Sequence, residues 1–218
     1  MSQPNYRQIV EAAKERIQAV LPEPQLLSTQ EAASIALTCA AVVDNYFLPW
    51  LRNAAASAAS AEARQFLIEN LEVEEQEDHQ GLLRAFVSPI SERATAQSLA
   101  RVRSAVSRLA PINDRITELT VIAPCGVHLL SLIENTTPIF YSWMYPGIAD
   151  KFPEADRTYL DVHTVADLVH GSIMLEAFDF ECRHVSWRPE LDEMTEMTMQ
   201  MLEGIFTAHR VPALLAAE

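Results

Sequence analysis

Glycine is scarce in this chain: there are five in 218 residues, and none precedes Gly81. Tight turns and left-handed backbone positions are where glycine is usually required, so a turn-rich β architecture is excluded and long helices are favoured. Abundant alanine points the same way. Basic residues are also few, 16 Lys and Arg against 30 Asp and Glu, for a net charge of −14. A nucleic-acid groove needs clustered cations facing phosphate, and the scattered arginines here exclude one. The three cysteines, Cys39, Cys125 and Cys182, are far apart and form no CxxC pair, which excludes a disulfide framework and a thiolate zinc site. They read as core thiols of a reducing compartment. No basic start followed by an apolar leader opens the chain, and no run of 18 apolar residues occurs. Even ASIALTCAAVVDNYFLPWL is interrupted by Asp44 and Pro49. The expectation is a soluble, cytoplasmic protein with no membrane contact.

What is present is helical periodicity. Ile9, Ala13 and Ile17 share one face of a segment over 5–20, and Ser28 with Glu31 forms a capping-box pattern ahead of a helix to about Arg52. A strongly helical stretch follows to about Phe86, with SPIS at 88–91 as its stop, and an amphipathic helix covers 92–109. Pro111 and Asn113 open another to about Glu134, where ENTTP reads as the next break. Helices from Pro138 to Gly147, from Pro153 to about Phe180 and over 189–208 complete the chain. No repeat or composition shift divides it. The prediction is an all-α fold, one domain over 1–218, a compact bundle of seven to eight helices.

One octapeptide, HTVADLVH at 163–170, needs explanation. At about 100° per residue, His163, Asp167 and His170 fall on one helix face. A buried carboxylate needs a partner, and either a metal ion or a hydrogen-bonded polar core supplies it. Other helices offer matching groups. His79 shares its face with Glu75 and Glu72 if that helix is straight, whereas Glu74 then points elsewhere, and a solvated acidic face is the plain alternative for LEVEEQED. Glu134 ends the apolar LLSLIE, and Asp44 is the only acid between Glu31 and Glu62. Four carboxylates and three histidines on several helices form a nitrogen and oxygen donor set suited to paired iron or manganese.

Three blocks, YLDVHTVADLVH, ENLEVEEQEDHQGLLRAF and IENTTPIFYSWMYPGI, resemble in order and spacing those of the haem-oxygenase-like diiron oxidases and oxygenases. That family keeps a haem-oxygenase fold but binds two irons and no haem. The resemblance implies iron ligands at His79, Glu134, His163, Asp167 and His170, a glutamate from the 72–75 cluster and an acid from the earlier helix. Counting from Asn70 favours Glu74 in that cluster, and helical facing favours Glu75 or Glu72, which is the preferred pair. On the earlier helix, where the family offers glutamate, only Asp44 is available. The family's glycine-bearing loop before the histidine is missing.

The implied function is an O2-dependent nonhaem diiron oxidase of secondary metabolism, with two Fe ions as cofactor and O2 as co-substrate. Its substrate would be a small amino-acid-like molecule, modified by desaturation, C–C cleavage, N-oxygenation or cyclisation. Arg84 is the candidate for the substrate carboxylate. An external electron donor and a homodimer are compatible with this reading. Two rivals remain open: a metal-free thiaminase-like hydrolase of the same fold using Cys125, and a non-catalytic helical binding protein whose acidic face meets a basic partner.

Overall fold

The computed structural model describes residues 6–213, apart from the side chains of residues 165–168. Among them there are nine α-helices and no strand. They are α1 (Tyr6–Val20), α2 (Thr29–Val42), α3 (Leu48–Ser57), α4 (Ala61–Gln76), α5 (His79–Arg93), α6 (Ala96–Thr120), α7 (Cys125–Gly147), α8 (Thr158–His184) and α9 (Pro189–Phe206). The all-α bundle expected from composition is therefore present, with more helices than the seven or eight foreseen. Two unanticipated interruptions raise the number.

The first is a π-helical turn, Val43–Phe47, between α2 and α3. A π-turn inserts an extra residue into the helical register, so everything beyond it is rotated relative to a straight helix. The second is a break at Glu77 and Asp78, where Asp78 takes a left-handed φ of 48°. Its carboxylate then accepts the Gly81 N–H at 3.1 Å and caps α5. Other starts follow ordinary capping chemistry. Ser28 and Glu31 form the reciprocal capping box read from the sequence. Ser60 caps α4 and Thr95 caps α6 through N–H bonds of 3.1 and 3.2 Å.

Three expected breaks are instead helix interior. Pro89 lies inside α5, Pro111 inside α6, and Pro138 and Pro146 inside α7. An internal proline removes one backbone bond and costs about 3 kcal/mol, which the packing of these long helices offsets.

The bundle centres on α7, whose residues from Cys125 to Thr136 are all buried, and which runs against α8 as the most extensive helix pair. Helix α4 packs on α8 and α3, and α5 packs on α2 and α8, so the ends of α4 and α5 meet over the α7–α8 seam. Gly171 on α8 makes the seam close. A Cβ built there would lie 3.1 Å from the Glu134 carbonyl oxygen and 3.2 Å from Asn135 Oδ1. The helical run Thr29–Ser57 holds a window apolar enough to cross a membrane by composition, and half of that window is buried within the bundle.

Gly171→Ala tests the seam. Elsewhere in a helix such a change adds up to about 1 kcal/mol of stability. Here it is expected to add none and to loosen the α7–α8 contact, as read from urea unfolding, and a full gain would show that the helices have room to spare.

Candidate metal centre

The buried stripe of α4 is Ala63, Leu67, Asn70 and Glu74, at a spacing that puts all four on one face. Glu74 is thus carried inward at the last turn, 8% exposed, and the break at Asp78 lets His79 at the start of α5 turn back toward it. His79 Nδ1 lies 3.1 Å from Glu74 Oε1, and its Nε2 lies 3.1 Å from Glu77 Oε2.

From α8, His163 reaches the same place. Its ring centroid is 4.7 Å from that of His79 and 4.2 Å from that of Tyr159. Its Nδ1 donates to the Tyr159 carbonyl at 2.7 Å, which leaves Nε2 as the lone-pair nitrogen. One donor atom from each of Glu74, His79 and His163 falls within 4.8 Å of the other two. On the α7 side, Glu134 Oε2 is 3.8 Å from His170 Nδ1, and Asn70 Nδ2 donates to Glu134 Oε1 at 3.4 Å.

Glu74, His79, Glu134 and His163 all line one cavity of about 60 Å³, walled otherwise by Val43, Phe47, Ile133 and Tyr141 among others. A site of that size with several polar partners is roomy enough for ions or waters.

Pro138 has a local role in this arrangement. Lacking an N–H, it cannot bond the carbonyl of Glu134 one turn back. The Thr137 hydroxyl donates to that oxygen at 3.2 Å instead, and α8 approaches it closely at Gly171.

The electrostatics suit neutral imidazole donors on α8. Burial lowers the pKa of His163 and of His170, so both stay uncharged near neutrality. His79 differs. Burial works against its charged form, but Glu74 and Glu77 outweigh burial and push it up to about 8.

Two buried polar atoms beside the cavity lack a hydrogen-bond partner: His79 Nδ1, which faces Glu74 without alignment, and Asn70 Oδ1. Buried donors and acceptors are nearly always satisfied, so a nitrogen set between a carboxylate and a second imidazole without an aligned hydrogen bond suits either a proton shared with Glu74 or a cation bound in its place. Two ligand atoms bound at right angles at about 2.1 Å are separated by about 3.0 Å, close to the Glu74–His79 spacing. The residues present therefore fit a metal.

Several sequence expectations need correction. Glu75 and Glu72 are exposed, and Glu75 pairs with Arg52 at 2.6 Å, so Glu74 faces inward in their place. On one straight helix His79 would share its face with Glu75 and Glu72, but the break at Glu77 and Asp78 ends α4 and turns His79 back toward Glu74. Asp44 is rotated outward by the π-turn, 39% exposed, and pairs with Arg84 Nη1 at 3.2 Å. That contact occupies Arg84 as well. Its side chain lies 56% exposed outside the cavity and is not placed to hold a substrate carboxylate there. The Asp167 side chain lies outside the described residues. Glu77, missed in the sequence, was hidden in the run of acids before His79.

Cys125 does not line the cavity, and burial pushes its thiol up to about 11, so it is not an activated nucleophile. Its neighbour His128 is fully buried, bonded to the Thr195 hydroxyl at 2.7 Å and the Tyr6 hydroxyl at 3.2 Å. Asp44→Ala is accordingly expected to leave metal stoichiometry unchanged by elemental analysis, and loss of metal would return Asp44 to the ligand set.

No family model matches the chain, and no curated protein matches it.

Proposed function

We propose that this protein is an O2-using nonhaem oxidase that binds two iron ions between Glu74, His79 and His163 on one side and Glu134 and His170 on the other. The observation that carries this reading is the convergence of Glu74, His79 and His163, three buried groups from three helices, with donor atoms within 4.8 Å of one another. Such donors from facing helices of a bundle are the usual way that α-helical proteins hold paired transition metals. Ferrous iron there would pass electrons to O2 and so activate it to take electrons from a closed-shell organic molecule.

The chain's own part is to hold, orient and exclude. The Tyr159 carbonyl fixes the His163 tautomer, and Asn70 steadies Glu134. Val43, Phe47, Ile133 and Tyr141 keep one side of the cavity apolar, and all four also wall a second chamber of about 60 Å³ lined by Cys39, Trp50, Phe140 and Met201. The two spaces share a wall, so a substrate held at the metal can extend an apolar portion toward the second. Among the described residues no Arg or Lys lines either chamber. The substrate is therefore proposed as a small, mainly apolar molecule, and an amino acid with an apolar side chain is the form nearest to the sequence expectation.

Anaerobic loading with Fe2+ followed by desalting and metal analysis tests the centre. Retention of about two irons per chain is expected, with O2 uptake accelerated by one member of a panel of apolar amino and carboxylic acids. Failure to retain iron, or retention with no O2 uptake under any substrate, would sink the proposal.

A further inference from the structure

His79 has both ring nitrogens engaged, and by different groups. Nδ1 faces Glu74 Oε1 at 3.1 Å yet makes no hydrogen bond, whereas Nε2 is hydrogen-bonded to Glu77 Oε2 at 3.1 Å. In a neutral imidazole one nitrogen carries the proton and the other the lone pair. A proton on Nε2 gives Glu77 a donor and leaves the Nδ1 lone pair aimed into the cavity, beside the Glu74 oxygen and within reach of His163. The opposite tautomer would put two acceptors together at Nε2, outside the cavity; with Nε2 protonated the two acceptors that meet are the Nδ1 lone pair and Glu74 Oε1, inside the cavity, where a cation can bridge them.

We infer that Glu77 is a positioning residue for the metal centre: its carboxylate accepts the Nε2 proton of His79 and so presents Nδ1 as the ligand atom. The inference rests on the metal-centre reading given above.

The backbone supports this role. Glu77 ends α4 by donating its N–H to the Val73 carbonyl at 3.0 Å, and Asp78 reverses the chain, so Glu77 and His79 stand two residues apart with their side chains directed together. Glu77 is 58% exposed, unlike Glu74, so it touches His79 from the solvent side and does not fill the cavity. Carboxylates that orient a ligating imidazole raise its basicity and fix its ring, and their removal weakens metal binding roughly 10- to 100-fold.

The test is Co2+ titration of the whole protein, read by visible absorption, with urea unfolding of each metal-free variant alongside. Glu77→Ala is expected to weaken Co2+ binding about 10- to 100-fold and to shift the absorption bands, with the metal-free unfolding midpoint unchanged. Glu77→Gln keeps an acceptor and should fall between Glu77→Ala and the parent. Glu75→Ala, which removes an acid from the same helix end, should match the parent.

Three outcomes with a Co2+-binding parent overturn the inference. They are unchanged affinity and bands in Glu77→Ala, a midpoint that falls in proportion to affinity, and complete loss of one bound metal in both Glu77 variants, which would make Glu77 a ligand. A parent that binds no Co2+ overturns the metal-centre reading itself, and this inference with it.

Discussion

His163→Ala is expected to lower retained iron from about two per chain to about one, with the helical circular-dichroism signal largely intact. His163 is 7% exposed and stands between Tyr159, Tyr141 and His79, with ring centroids 4.2, 5.1 and 4.7 Å away. Its removal takes away one of three converging donors and leaves His79 and Glu74 to face each other across a gap. The loss in affinity should exceed the roughly 10- to 100-fold expected when an orienting partner is removed. His170→Ala should act on the other half, since His170 Nδ1 lies 3.8 Å from Glu134 Oε2. The double variant should then retain almost none. Full retention in both single variants, measured by elemental analysis after desalting, would mean that the histidines on α8 form a polar core and nothing more.

The second large effect is expected far from the cavity. Glu181 on α8 is fully buried, and its two carboxylate oxygens accept the backbone N–H groups of Ala59 and Ser60 at 2.7 and 2.8 Å. Those groups sit where the chain leaves α3 and enters α4. A carboxylate at a helix N-terminus satisfies unpaired N–H groups and complements the helix dipole. Glu181→Ala takes the acceptor from both N–H groups, that of Ser60 in a buried setting and that of Ala59 in a partly buried one, at a cost of roughly 3 kcal/mol from two charge-assisted bonds. Glu181→Gln keeps one acceptor oxygen and should lose about half as much.

Urea unfolding measures the loss directly. A change below about 1 kcal/mol would show that water enters and replaces the carboxylate. Because Glu181 fixes the start of α4 and Glu74 lies at its end, Glu181→Ala should also weaken metal binding in the variant that still folds.

Much of this architecture is legible before any coordinates are seen. The shortage of glycine and the Ser28–Glu31 capping box point to helices because they express local backbone preferences, and those survive packing. His163 and His170 are equally legible, since seven residues make two turns. What the sequence hides is register. Proline reads as a boundary at 89, 111 and 138, yet each is absorbed inside a helix that packs against its neighbours. The π-turn at Val43–Phe47 turns Asp44 outward, and no residue within it announces a π-turn. The left-handed backbone at Asp78 comes without the glycine that usually marks one, so Glu74, not Glu75 or Glu72, is the acid that faces in. These misreadings are errors of rotation, about 100° for each inserted or removed residue, and they change which acid faces the cavity.

The thiol of Cys39, in the wall of the second chamber, bears on durability. Burial pushes that thiol up to about 12, so near neutral pH it stays protonated and not the oxidation-prone thiolate. If the cavity handles O2 as proposed, this sulfur should survive many cycles. Met201 in the same wall has no such protection, because a thioether reacts without ionising. Wear from stray oxidant should be found there first, as sulfoxide in a tryptic fragment of the aged enzyme.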